Sequence, residues 1–184
     1  MTNRSPINFT RGIPAAQSFP TKQMIEASQL ALQQHGSIIL QYGPSYGFRP
    51  LRDWLADWHG VEVDSVLCSN GSLQIIKFIC SVLMQTKNKT VFVEAPTYDR
   101  TITTLQKHGA KIVSIPLQTD GPDIEVLEHQ LHQHQPTFFY VIPDFQNPAG
   151  VTCSREKREK LIELGRNHGY IYLEDAPYRA LRYR

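Results

Sequence analysis

A chain of 184 residues is long enough for one compact domain and short for two. Its 41% apolar and 20% charged residues are ordinary for a soluble globular protein, and a net charge of +2 without any Lys/Arg block excludes a basic nucleic-acid stripe as its main business. Residues 1–20 hold no signal-peptide core. The longest apolar stretch, near Ile75–Met84, is broken by Lys77 and Ser81 and is too short for a bilayer, so a cytoplasmic protein with no membrane partner is expected. Cys68, Cys80 and Cys153 form no C-x-x-C pair and read as reduced, packed thiols.

No repeat, low-complexity tract or linker interrupts the chain. Prolines at 6, 14 and 20 make residues 1–20 an extended arm. Thr21–His35 reads as a helix stopped by Gly36, with Met24, Ile25, Ser28 and Leu32 on one stripe. A turn-rich Gln41–Phe48 leads to a second helix, Arg49–His59, with Pro50 in its first turn and Gly60 at its end. Beyond residue 60 the pattern alternates. Ser65–Ser69 reads as a strand, Ser72–Gln85 as a helix, Thr90–Glu94 as a strand and Tyr98–His108 as a helix. Lys111–Pro116 then reads as a strand, Asp123–His134 as a helix, Thr137–Ile142 as a strand, Arg155–His168 as a helix and Tyr170–Glu174 as a strand. Such alternation predicts a three-layer α/β/α fold on a mainly parallel sheet. The cores VFVEA, FFYVI and YIYLE are β-branched or aromatic on both parities, which predicts strands buried on both faces. Residues 1–60 are read as an arm with helices and 61–184 as the first part of a large domain.

Ligands of open parallel sheets bind beyond the carboxyl ends of the strands. Four loops therefore matter. Gly71-Ser72 opens a helix, where free N–H groups and the positive dipole end suit a phosphate; a plain N-cap serine reads the same residues. Tyr98, after Glu94-Ala95-Pro96-Thr97, suits stacking on a ring or simple rim packing. Asn147, in Gln146-Asn147-Pro148-Ala149-Gly150, suits donation to a phenolate oxygen or mere turn chemistry. Asp175, in Glu174-Asp175-Ala176-Pro177-Tyr178, suits a protonated ring nitrogen or an N-cap. Each is weak alone. Together they supply a phosphate cradle, a stacking ring, a pyridinium partner and two donors to a phenolic oxygen, which matches pyridoxal 5'-phosphate (PLP) piece by piece.

These motifs, in this order, resemble fold-type I PLP enzymes, class I/II aminotransferases in particular, from about Ile7 to the end of the chain. Gly71-Ser72-Leu73-Gln74, Tyr42-Gly43 with Gly47, and Leu51-Arg52 add to the likeness. The opening Ile7-Asn8-Phe9-Thr10-Arg11-Gly12-Ile13-Pro14, with Phe19-Pro20, is similar to the 2-aminoadipate and kynurenine aminotransferase branch. The resemblance implies the sheet of the PLP-dependent transferase large domain, incomplete here, and transfer of an amino group from an amino acid to a 2-oxo acid. It assigns the cofactor phosphate to Gly71, Ser72 and the Leu73 backbone, the pyridine ring to Tyr98, the phenolic oxygen to Asn147 and Tyr178, and the ring nitrogen to Asp175. It places Gly12 beside the substrate and Tyr42 in the neighbouring subunit's site, which implies a homodimer. Leu73 and Ala149 stand where polar residues are commoner in the family.

The Schiff-base lysine of this family lies beyond the aspartate, as does the arginine that clamps the substrate carboxylate. None of Lys22, Lys77, Lys87, Lys89, Lys107, Lys111, Lys157 and Lys160 follows Asp175. The expectation is a chain without the catalytic amine, unable to start transamination alone, with an apolar strand edge exposed. A PLP lyase or decarboxylase, an inactive remnant and a PLP-sensing regulatory domain are the rival readings; for the last, the pattern starting at residue 7 leaves no room for a DNA-binding domain in front. His129, His132 and His134 lack the spacing of H-E-x-x-H and read as a polar helix face, not a metal site. Arg155, Lys157, Arg158 and Lys160, interleaved with Glu156 and Glu159, read as a solvated face. Trp54 and Trp58 read as a packing pair.

Overall fold

A computed structural model describes residues 14–182, so Gly12 and its proposed place beside the substrate lie outside the described residues. The chain divides into two compact units, Met1–Cys68 and Ser69–Arg184. In the first, α1 (Thr21–Ile39) buries none of its residues, and α2 (Arg49–His59) buries Arg52 and Ala56. Gly36 does not stop α1. The helix runs through it because Leu40 N–H still finds the Gly36 carbonyl, and the chain turns only at Leu40. Gly60, by contrast, closes α2 in the left-handed region, at φ 64°. Trp54 and Trp58 pack on each other, with ring centroids 4.8 Å apart.

The expected strand Ser65–Ser69 is not formed. Val63–Ser65 is a turn of 3₁₀ helix, and the buried Arg52 donates to the carbonyls of Val66 (2.8 Å) and Val63 (2.7 Å). A guanidinium that captures these carbonyls holds the segment in a compact turn and takes acceptors that a strand ladder would need.

The second unit is a sheet between helices. Its elements are α3 (Ser72–Leu83), β1 (Thr90–Ala95), α4 (Asp99–Lys107), β2 (Lys111–Gln118), β3 (Gly121–Pro122), α5 (Ile124–Gln133), β4 (Phe138–Val141), α6 (Arg155–His168) and β5 (Ile171–Glu174). The strand order is β3-β2-β1-β4-β5, parallel except for the short β2–β3 pairing. Alternation along the strands feeds two cores. Val91, Val93, Phe138 and Tyr140 meet Ile76 and Cys80 of α3 and Leu105 of α4. Phe92, Phe139 and Val141 meet Leu127 of α5 and Leu161 and Leu164 of α6. Period-two side chains on strands covered on both sides give the three-layer α/β/α arrangement. β1 and β4 are buried along nearly their whole length, as the sequence predicts. β5 is not: Ile171 and Glu174 are exposed, because among the described residues only β4 pairs with it.

Candidate functional site

β1, β4 and β5 are adjacent and parallel, so the loops after them leave the same end of the sheet. The first loop begins at Glu94, whose side chain points into the interior and is 2% exposed. Its Oε2 accepts from the Ile142 N–H and from Gln146 Nε2, each at 3.0 Å. Burial dominates these bonds and pushes the carboxyl up to about 7. Tyr98 follows at the N-cap of α4, half-buried against the core that contains Tyr140. The neighbouring Thr97 Oγ1 is buried without a partner among the described residues.

The loop after β4 is built on two buried polar side chains. Gln146 Nε2 also donates to the Pro96 carbonyl (2.7 Å), and its Oε1 accepts from the Ala149 N–H (2.9 Å). Asp144 accepts from Arg158 Nη2 and Arg179 Nε, each at 2.8 Å. Burial raises the Asp144 carboxyl, but the bonds from Arg158 and Arg179 outweigh it and leave the group below the ordinary carboxylate value. Between them Phe145 takes φ 50°, rare for a bulky residue, with the Arg182 guanidinium 5.1 Å above its ring. Asn147 Nδ2 lies 3.5 Å from Tyr178 Oη. Asn147, Pro148, Gly150, Tyr178 and Leu181 help line an open cleft of about 400 Å³.

β5 ends at Glu174, and the N–H of the next residue, Asp175, bonds the Val141 carbonyl (2.9 Å). The fully buried Tyr140 donates its phenol to Asp175 Oδ2 at 2.7 Å. Burial above all, and the carboxyl group beside it, push the Tyr140 phenol upward, so it keeps its proton and donates it to Asp175 Oδ2. Arg179 Nη2 binds Glu174 at 2.6 Å, tying the segment after Tyr178 back to the strand end.

Gly71 caps α3 with φ 95° and ψ 160°, a conformation essentially reserved for glycine, and a Cβ there would meet nothing within 4 Å. No side chain caps this end, and Ser72 is the exposed first residue of the helix rather than its cap. The start of a twelve-residue helix thus presents uncapped N–H groups to an open space, as an anion requires. The segment before it follows a turn, not a strand, so only three of the four loops read from the sequence leave strand ends.

Asn147 and Tyr178 are thus brought together, Asp175 is fixed just beyond the end of the adjacent strand, and Tyr98 packs against the core that contains Tyr140. Tyr42 lies in the first unit and is fully exposed. Glu94, Gln146, Tyr140 and Asp144 carry structural weight that the sequence reading did not give them. The one local signal was the carboxylate inside VFVEA, since a charge in a buried strand needs a partner. Arg158 corrects the reading of a solvated helix face: it turns inward to the Pro143 carbonyl and Asp144, and its side chain is only 24% exposed. Among the described residues no group of three or more His, Cys, Asp or Glu could hold a metal ion, and no helix is long and apolar enough to cross a membrane.

Comparison with known proteins gives the family and the fold. The family described as aminotransferase class I and II matches residues 4–184. The chain is 34% identical over 175 residues to a 2-aminoadipate transaminase of Thermus thermophilus, covering 95% of this chain and 44% of that protein. It is 34% identical over 188 residues to an aromatic-amino-acid aminotransferase of Thermococcus litoralis, covering 96% of this chain and 45% of that one. The chain therefore spans less than half the length of these curated relatives. An alpha-aminoadipate aminotransferase of Thermus thermophilus, solved with N-(5'-phosphopyridoxyl)-L-leucine, superposes with a TM-score of 0.86 at 34% identity, over 93% of this chain and 44% of that structure. The three-layer unit is the large-domain fold of PLP-dependent aminotransferases, and the chain belongs to the class I and II aminotransferase family.

Proposed function

We propose that the whole protein transfers an amino group from an amino acid to a 2-oxo acid, and that these 184 residues supply most of its cofactor platform. The family implies pyridoxal 5'-phosphate as cofactor, and the residues present fit it. Gly71, Ser72 and the Leu73 N–H would hold its phosphate, and Tyr98 would cover its ring. Asn147 and Tyr178 would donate to its phenolic oxygen, and Asp175 would hold a proton on its ring nitrogen. Bound there, the cofactor supplies an electron sink for carbanion chemistry. Gly12 would lie beside the substrate, and Tyr42 would reach the site of a second subunit in a homodimer.

The observation that carries this reading is the pairing at one sheet end. Asp175 is held by Tyr140 after β5, and Asn147 is held 3.5 Å from Tyr178 after β4. A carboxylate and an amide donor beyond neighbouring parallel strands match the two polar ends of a protonated hydroxypyridine. No lysine follows Asp175 in these residues, so we propose that this chain alone binds the cofactor without holding it covalently.

The test is absorbance of the chain with PLP, then borohydride reduction and mass spectrometry. Bound cofactor without a one-to-one reducible adduct is expected. Such an adduct at a single lysine would overturn the missing-amine reading. For the whole protein, amino acid should be consumed only when a 2-oxo acid is present; consumption without an acceptor favours a lyase or decarboxylase on the same fold.

A further inference from the structure

We propose that Gln146 and Glu94 are positioning residues that join the Tyr98 loop and the Asn147 loop into one rigid frame for the cofactor ring. The proposal rests on the cofactor reading above. Gln146 immediately precedes Asn147, and Pro96, whose carbonyl it holds at 2.7 Å, lies two residues before Tyr98. The same amide nitrogen reaches Glu94 Oε2 at 3.0 Å, and the amide oxygen takes the Ala149 N–H at 2.9 Å. Glu94 in turn holds the Ile142 N–H, where β4 gives way to the loop. The amide nitrogen is thus spent on joining the loop after β4 to the end of β1 and to the Pro96 loop, about fifty residues away in sequence, while the amide oxygen braces its own loop at Ala149.

Both side chains are 2% exposed. An apolar pair would fill the same volume without the cost of burying a carboxylate and an amide. What an apolar pair lacks is direction: these bonds fix where Pro96 and Ala149 stand relative to each other, and so fix Tyr98 relative to Asn147. The phosphate cradle at Gly71–Leu73 belongs to another element and makes none of these bonds. The frame should therefore govern how the ring is held and leave phosphate binding alone. Both bonds to Glu94 end on Oε2, so a glutamine at 94 with its oxygen in that place can accept both.

The experiment uses the 184-residue chain with pyridoxamine 5'-phosphate, which needs no lysine. Binding is followed by ring fluorescence, with inorganic phosphate as competitor and a urea melt for each variant. Gln146→Leu and Glu94→Leu should weaken pyridoxamine phosphate roughly tenfold or more, with the phosphate inhibition constant unchanged within about twofold. Glu94→Gln should stay close to the parent. Gln146→Asn, one methylene too short to span to Glu94 and Pro96 together, carries the same expectation as Gln146→Leu where the latter unfolds. Equal losses for pyridoxamine phosphate and phosphate would mean a merely structural role and overturn the proposal, as would unchanged ring binding in the leucine and asparagine variants. A parent chain that binds phosphate but not pyridoxamine phosphate would overturn the cofactor reading itself, and this frame with it.

Discussion

Glu94 sits in a strand that is buried from Thr90 onward, with two N–H donors on one oxygen and its ionisation pushed up to about 7. The direction of its pH effect follows. The folded state binds this proton more tightly than the unfolded chain, whose carboxyl titrates near 4.5. Stability is therefore greatest below that value and declines as pH rises towards 7, then levels off. The loss is on the order of 3 kcal/mol for a shift of this size. Glu94→Gln removes the titration, so urea melts at pH 5 and pH 8 should show it gaining on the parent at the higher pH; an equal gap at both would refute this. Tyr140→Phe takes the donor from Asp175, and a loss of about 1–2 kcal/mol in the affinity for pyridoxamine phosphate is expected by titration calorimetry. At this scale the sequence was half legible. The placement of Asn147, Asp175 and Tyr98 beyond strand ends can be read, because each follows a strand-like run. The partners that hold them cannot, since Glu94 and Gln146 or Tyr140 and Asp175 meet only through the sheet, 52 and 35 residues apart.

The loop after β4 is held from outside by α6 and by the short turn after Tyr178. Arg158 reaches Asp144 from the helix and Arg179 reaches it from the turn, so one carboxylate sets the distance between the two elements that carry Asn147 and Tyr178. Asp144→Asn should cost about 2 kcal/mol in stability, reduced from the value for a fully buried pair by the exposure of Arg179. It should also flatten the acid limb of the stability profile. The depressed Asp144 carboxyl stabilises the fold above its ordinary value of 3.8, and that contribution fades as pH falls below it. Melts from pH 3 to pH 6 with both proteins check this. The helices α2 and α6 were legible to the residue; Pro50 and Gly60 mark the ends of α2, and in α6 the structure adds Ser154 as a side-chain cap and Gly169 as a left-handed stop. The turn at Val63–Ser65 was not, because its stability comes from Arg52, eleven residues upstream of the nearer carbonyl it binds. The inward face of α6 was illegible for the same reason: its charge pattern looks the same whether or not a buried carboxylate waits beneath it.

The fold class was legible because alternation of strands and helices leaves few arrangements once the crossovers are short. The strand order was not, and the exposed apolar edge that the resemblance implied could not be placed at β5, since Ile171–Glu174 has the composition of an interior strand. Its outer edge has no strand partner among the described residues, Ile171 is half exposed, and α1 shows Met24, Ile25, Leu30 and Leu32 to solvent. Edges and faces of this kind template self-association. The 184-residue chain should show concentration-dependent association in sedimentation, and Ile171→Lys should reduce it if the edge is responsible.

Asp175 has a further consequence. It is the residue next after β5, and its backbone and side chain are both fastened to β4, at Val141 and Tyr140. Its position is thus a readout of strand register. A slip of β5 by one residue would turn the carboxylate to the opposite face of the sheet, and a slip by two would carry it roughly 7 Å along the strand, out of reach of Tyr140. A misregistered molecule would keep most of its helices, its layers and its circular dichroism. It would have lost the charge proposed to meet a pyridinium, so on that reading ligand binding is a finer gauge of correct folding in this protein than any spectroscopic measure of its secondary structure.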